Sequence, residues 1–205
     1  MRITLVRHGE TTGESSIRYY GATDVPLSPL GEAQMRCAAM ALAGQRFDGV
    51  VSSRLQRARR GAVLVAQREP RQLAAFDEVD FGRWEGWTRE EISARDPESF
   101  RAWQGDPEAF AYPDGECRRA FRQRVRAGLA ELLAEAPGNN LLLVVHRGVI
   151  AVILSELLAL AAPQRRQLEI DLGSIHVVRR RSAGWEAEVL NRIDHLQTMA
   201  SGASA

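Results

Sequence analysis

Short apolar runs and amphipathic stretches alternate along the chain. Residues 3–6 form a β-branched run that stops at Arg7-His8-Gly9, the pattern of a buried strand feeding a loop. Ser28-Pro29 then predicts a helix start, with Ser as N-cap and Pro at the first helical position, and the helix runs over about 29–43 before Gly44. Val50-Val51 predicts a second strand, 54–67 a second helix, and 141–145 a third strand after the Pro137-Gly138-Asn139 turn. After His146, the residues Val149, Ile150, Ile153, Leu154, Leu157 and Leu158 make one apolar stripe at helical spacing, suited to packing on a sheet. A long helix is expected over 116–134, and 175–179 with 185–189 read as a hairpin around Ser182-Ala183-Gly184.

The stretch 76–116 is less regular. A short helix starts at Thr88, with Glu91 completing a capping box. Trp84, Trp87 and Trp103 lie here and read as packing, with Trp84 a candidate for the edge of a pocket. Alternating strands and helices predict an α/β fold, a three-layer sandwich whose mostly parallel central sheet has helices on both faces. Ligands in such sheets sit beyond the carboxyl ends of the strands, where His8, Ser52-Ser53 and His146 fall. With 205 residues and no composition break, one domain is expected over 1–196, with a cap-like segment near 76–116 and a flexible tail at 197–205.

The longest apolar stretch, 149–162, is interrupted by Ser155 and Glu156 and falls short of the roughly 20 residues that cross a bilayer. No secretory signal pattern opens the chain, so a cytoplasmic protein with no membrane partner is expected. Cys37 and Cys117 are far apart and suggest no disulfide, and the four histidines show no metal-ligand spacing, so no metal and no cofactor are expected. A net charge of +1 gives no field for nucleic acid. All 27 basic residues are arginine, so a phosphate would be held by Arg, His or backbone N–H and not by lysine.

Phosphate-ester hydrolysis needs a nucleophile, cations around the non-bridging oxygens and an acid for the leaving alkoxide. Arg7-His8-Gly9-Glu10-Thr11 offers an imidazole beside a guanidinium, with Gly9 allowing close backbone approach. Ser52-Ser53-Arg54-Leu55-Gln56-Arg57-Ala58 adds a strand-end arginine, and Val144-Val145-His146-Arg147-Gly148 repeats the strand, His, Gly pattern.

These segments resemble, in order from 2 to about 179, those of the histidine phosphatase (phosphoglycerate-mutase-like) superfamily. The run Tyr20-Gly21-Ala22-Thr23-Asp24-Val25-Pro26-Leu27-Ser28-Pro29-Leu30-Gly31 is similar to the family's Gly-x-x-Asp-x-Pro-Leu-Ser-x-x-Gly. Glu78-Val79-Asp80-Phe81-Gly82-Arg83-Trp84-Glu85-Gly86 resembles its Glu-x-x-Phe-Gly-x-Trp-Glu-Gly. The resemblance implies a metal-independent phosphatase acting on a small-molecule phosphate ester. His8 would be the nucleophile, Arg7, Arg57 and His146 the phosphate clamp, and Glu78 the proton donor. Positive charge beside His8 would keep its imidazole neutral, and a phosphate anion beside Glu78 would favour the protonated carboxyl. Glu14, Tyr20, Gly21 and Thr23 would bind substrate, with Arg18, Tyr19 and the middle segment facing the leaving group. In pattern the chain is most similar to the α-ribazole-5′-phosphate phosphatase and broad-specificity branch.

The bland readings stand beside these. His146 could merely cap a helix, and Arg57 sits in an arginine-rich turn whose usual role is a solvated face. Asp77, Asp80 and Glu85 rival Glu78, and His176 and His195 read as structural. Glu14 stands where the family often has Asn, Gly61 where Thr is common, Cys117 where Ser is common, Arg147 for a Gly and Ala151 for a frequent Arg. A phosphomutase using the same phosphohistidine is the alternative, although the segment after Glu78 is short and acidic where a mutase needs a longer, more basic insertion. An inactive phospho-ligand binding module is the other.

Overall fold

Strand alternation sorts apolar side chains to two faces, and both faces are covered. In the computed structural model, which describes residues 1–135 and 138–197, the strands are β1 (Arg2–Arg7), β2 (Gly49–Ser52), β3 (Arg71–Gln72), β4 (Asn140–Val145), β5 (Ile175–Arg181) and β6 (Gly184–Arg192). They form one six-stranded sheet in the order β3-β2-β4-β1-β5-β6. The β1–β4, β2–β4 and β2–β3 pairs are parallel, and β5 runs antiparallel to β1 and β6, so the sheet is mixed and mostly parallel, as the alternation of elements predicts.

The helices are α1 (Pro29–Ala41), α2 (Gln56–Ala66), α3 (Arg89–Arg95), α4 (Pro97–Gly105), α5 (Arg118–Glu135), α6 (Arg147–Leu157) and α7 (Ala162–Arg166). On one face Val6, Leu142 and Val144 pack with Met35 and Ala38 of α1 and Ala62 and Val65 of α2. On the other, Ile3, Leu5, Leu141, Leu143 and Val145 pack with Phe121 and Leu129 of α5 and Val149 and Ile153 of α6. The period of two in each strand is what divides them. Each fully buried Leu or Ile contributes about 1.5–3 kcal/mol, which makes this double-sided sheet the main source of stability.

The expected caps are present. Ser28 Oγ accepts the Gly31 N–H at 3.1 Å, and Thr88 and Glu91 close the capping box. Three elements were not legible: the two-residue β3, too short for any pattern, α4 and the five-residue α7. Asp96 explains α4, because it ends α3 and then caps the next helix through Ser99 N–H, with Pro97 at the first helical position. The other oxygen of Asp96 accepts Trp84 Nε1–H at 3.0 Å. Trp84 is therefore an anchor, 1% exposed and packed on Trp103, Phe110 and Tyr112, and it does not edge a pocket as expected. Residues 198–205 of the expected tail, and Pro137 of the expected turn, lie outside the described residues. Among the described residues, no helix is long and apolar enough to cross a membrane.

Candidate active site

Parallel pairing brings three strand ends to one edge. Arg7 of β1 is paired with Val145 of β4, and Ser52 of β2 with Val144, so His8, His146 and Ser53 emerge side by side. The two imidazoles meet edge to face with centroids 5.1 Å apart. His8 Nδ1 lies 2.7 Å from Gly9 O. A carbonyl can only accept, so Nδ1 carries the proton and Nε2 keeps its lone pair. Ser53 Oγ accepts the Leu55 N–H at 3.2 Å and lies 2.7 Å from His146 Nε2.

Burial, then the charges of Arg57 and Arg7, holds the His8 pKa well below 6.5. Burial and Arg57 do the same to His146. Both rings are neutral at pH 7, as the adjacent arginines led us to expect for His8. Burial also lowers Arg7 to about 10, which leaves it charged. Arg7 Nη1 donates to Ile170 O at 2.8 Å. Arg57, on the first turn of α2, is fully buried and grips the loop before it, donating to Thr23 O at 2.9 Å, Gly21 O at 2.6 Å and Tyr20 O at 3.3 Å. Among the described residues, Arg7 Nε, Arg57 Nε and His146 Nδ1 are buried without a hydrogen-bond partner. Two orphaned guanidinium N–H donors and an unpartnered imidazole nitrogen beside His8 suit an anion with several oxygens.

Glu78 is the acid beside them. Its Oε1 accepts Val79 N–H at 2.9 Å and its Oε2 accepts Gly148 N–H at 2.8 Å, in the first turn of α6. Its rivals are occupied elsewhere: Asp77 binds Arg54, Asp80 accepts Gly82 N–H, and Glu85 holds a loop. Of the four, Glu78 alone lines a cavity of about 680 Å³ that also exposes Arg7, His8, Arg18, Tyr19 and Tyr20. Arg57 and His146 are buried and are not among its lining residues.

The remaining expected substrate contacts separate. Tyr20 lines the cavity, whereas Gly21 and Thr23 do not. Their N–H groups, with those of Ala22 and Phe81, converge on the Glu85 carboxylate at 3.0–3.2 Å. Glu85 is thus the organiser of this loop, a role sequence reasoning missed because it weighed the residue solely as a proton donor. Gly21 is required by contact, since a Cβ there would sit 1.7 Å from Val79 O. Glu14 adopts a left-handed φ of 62°, a conformation Asn tolerates well, and turns its exposed carboxylate to Arg18 at 3.4 Å. It does not line the cavity, so no second carboxylate faces a bound phosphate from that position.

His176 is structural, buried between Ser174 Oγ and Asn191 N–H, and burial lowers its pKa to about 4. His195 lies 3.1 Å from Gly173 O, away from the cavity. Arg147 and Ala151 both line the cavity, and Gly61 packs tightly against Met35 and Val144. No group of three or more His, Cys, Asp or Glu among the described residues could hold a metal ion.

The sequence pattern of the histidine phosphatase superfamily (branch 1) matches residues 3–193. The chain belongs to this superfamily. This histidine phosphatase is 34% identical over 176 residues to the adenosylcobalamin/alpha-ribazole phosphatase of Salmonella typhimurium, covering 84% of this chain and 87% of the relative. It is 30% identical over 149 residues to phosphoserine phosphatase 1 of Hydrogenobacter thermophilus, covering 71% of each. The crystal structure of the alpha-ribazole phosphatase from Shigella flexneri superimposes with a TM-score of 0.85 at 30% identity, over 94% of this chain and 96% of that one. In this histidine phosphatase, a neutral imidazole with a free Nε2, one buried and one cavity-lining guanidinium and an oriented carboxyl make a set suited to phosphoryl transfer.

Proposed function

We propose that this histidine phosphatase hydrolyses small-molecule phosphomonoesters through a phosphohistidine on His8. The observation that carries the reading is the His8 Nδ1 contact with Gly9 O at 2.7 Å, which commits the lone pair of a neutral ring to Nε2. Arg7, Arg57 and His146 hold the phosphoryl oxygens through the donors that have no partner in the protein. In the first step Nε2 forms a bond to phosphorus as the bond from phosphorus to the ester oxygen breaks. The departing oxygen takes its electron pair and a proton from the Glu78 carboxyl. In the second step water attacks phosphorus and gives a proton to the Glu78 carboxylate, the N–P bond returns its pair to Nε2, and inorganic phosphate leaves.

The names of the relatives make α-ribazole phosphate the first natural substrate to assay, and the cavity has the volume of a drug-sized ligand site. Residues 1–196 act as one unit in this reading, with the 76–116 segment serving as a cap, since Arg89, Trp103 and Glu108 from it line the cavity. A cytoplasmic location fits the free thiols of Cys37 and Cys117. Rapid quench with p-nitrophenyl phosphate is expected to trap phosphate on His8 as an acid-labile, base-stable adduct seen by mass spectrometry. Turnover that persists in His8→Ala overturns the reading.

A further inference from the structure

The cavity carries far more positive charge than one phosphate needs. Nine arginines line it against two carboxylates, Glu78 and Glu108, in a chain whose net charge is +1. Arg7 serves the reacting phosphate. A separate group comes from α5 and α7. Arg118, Arg122 and Arg126 follow one another at four-residue spacing on α5, share one face, and extend along about 12 Å of helix. Arg165 and Arg166 join them from α7.

Like charges at this spacing oppose each other, so a protein gains no stability from lining them up. Glu108 is the carboxylate that answers them within the cavity. It contacts Arg122 and lies 3.6 Å from Arg165 Nη2, and the two arginine side chains are 21% and 22% exposed. Arg118 instead donates to Tyr112 Oη at 3.0 Å, and Arg126 pairs with Glu156, which does not line the cavity. Burial and the charges of Arg165 and Arg126 press the Arg122 pKa down, so the excess positive charge is felt where it is concentrated.

We propose that this arginine wall, centred on Arg122 and Arg165, binds a second anionic group, a carboxylate or a phosphate, on the alcohol part of the substrate. Preferred esters then carry an anion at both ends, and Glu108 is the resident carboxylate that the substrate's anion displaces. The inference rests on the phosphomonoesterase reading above and names the substrate class for that same cavity.

The test compares matched esters. 3-Phosphoglycerate and glycerol 3-phosphate differ by a carboxylate in place of a CH₂OH group, and fructose 1,6-bisphosphate and fructose 6-phosphate differ by a second phosphate. Charge-assisted hydrogen bonds predict a kcat/KM ratio of about 10-fold or more in favour of the doubly anionic member of at least one pair, and the pair that responds separates carboxylate from phosphate. Arg122→Ala with Arg165→Ala brings that ratio to about one, chiefly through KM, whereas Arg122→Lys with Arg165→Lys, which keeps both charges, retains most of it. Glu108→Gln raises it. Because each ratio is internal to one protein, a partial loss of folding cancels. A wild-type ratio near one in both pairs, with p-nitrophenyl phosphate still turned over, overturns the subsite and leaves the phosphatase reading standing. A ratio unchanged in the double alanine variant also overturns it. Absence of turnover on every ester removes the phosphatase reading itself.

Discussion

Gly148 donates its backbone N–H to Glu78 Oε2 at 2.8 Å, tying the candidate proton donor to the first turn of the helix that follows His146. The second bond, from Val79 N–H to Oε1, fixes the other oxygen, so the plane of the carboxyl is set by backbone alone. The candidate proton donor and the candidate clamp histidine are therefore positioned by one strand-to-helix turn.

That geometry makes Gly148 a sensitive position. A Cβ there would sit 2.4 Å from Glu78 Oε1, the tip of a side chain that can move, and 3.1 Å from Phe121 Cζ. Gly148→Ala is expected to fold with its melting temperature lowered by no more than a few degrees, while kcat falls about 100-fold because the acid is displaced by roughly an ångström. Steady-state kinetics beside a thermal melt checks it, and turnover within twofold of wild type would show that the Glu78 orientation is not set by this turn.

Much of this arrangement is legible in the sequence. The apolar runs ending in Arg7-His8-Gly9 and Val145-His146-Arg147-Gly148 mark strands that stop at polar groups, and parallel pairing then forces both histidines to one edge. The arginines that α5 and α7 add to the cavity were not legible. Arg118, Arg122 and Arg126 have the spacing of any solvated helix face, and it is the approach of Glu108 and Arg165 to Arg122 that makes this face one wall of the cavity. Glu85 was hidden for a different reason. Its partners are backbone N–H groups some sixty residues earlier in the chain, which no side-chain pattern records.

Glu85 yields a second expectation. Its carboxylate is the acceptor for Gly21, Ala22, Thr23 and Phe81 N–H, and the same loop offers its carbonyls to Arg57. Glu85→Ala leaves these donors unpaired, at a cost of about 2–4 kcal/mol in stability, and loosens the loop that holds the Arg57 guanidinium. kcat/KM is expected to drop at least about tenfold, with the amides of residues 21–23 losing hydrogen-exchange protection. Preserved protection would rule out this anchoring role.

The buried histidines fix the pH response. His8 is held well below 6.5 by burial, so the acid limb of kcat/KM belongs below the ordinary histidine range and activity does not decline as pH falls through 6.5. Stability follows the same groups. Between 6.5 and about 4 an unfolded histidine takes up a proton that folded His176 refuses, so the unfolded state binds more protons and stability falls as pH drops through that window. Each such group contributes a slope of up to about 1.4 kcal/mol per pH unit. Imidazole carbon shifts followed by NMR should place the His176 midpoint near 4. A midpoint near 6.5 would mean that the ring is not held in the buried site.

The two candidate clamp arginines differ in what else they hold. Arg57 commits both terminal nitrogens to the carbonyls of Tyr20, Gly21 and Thr23 and keeps Nε without a partner, whereas Arg7 commits one nitrogen to Ile170 O. A lysine offers one ammonium at the tip of a flexible stem and nothing equivalent to Nε, so at position 57 it can serve the loop or the phosphate but not both. Arg57→Lys is expected to lower kcat/KM by about 10- to 100-fold and to weaken exchange protection of residues 20–23 together. Arg7→Lys is expected to lower kcat/KM by a similar factor with that protection intact. If both variants leave the loop amides equally protected, the double duty assigned to Arg57 is wrong, because its hold on the carbonyls would then contribute nothing to the order of the loop.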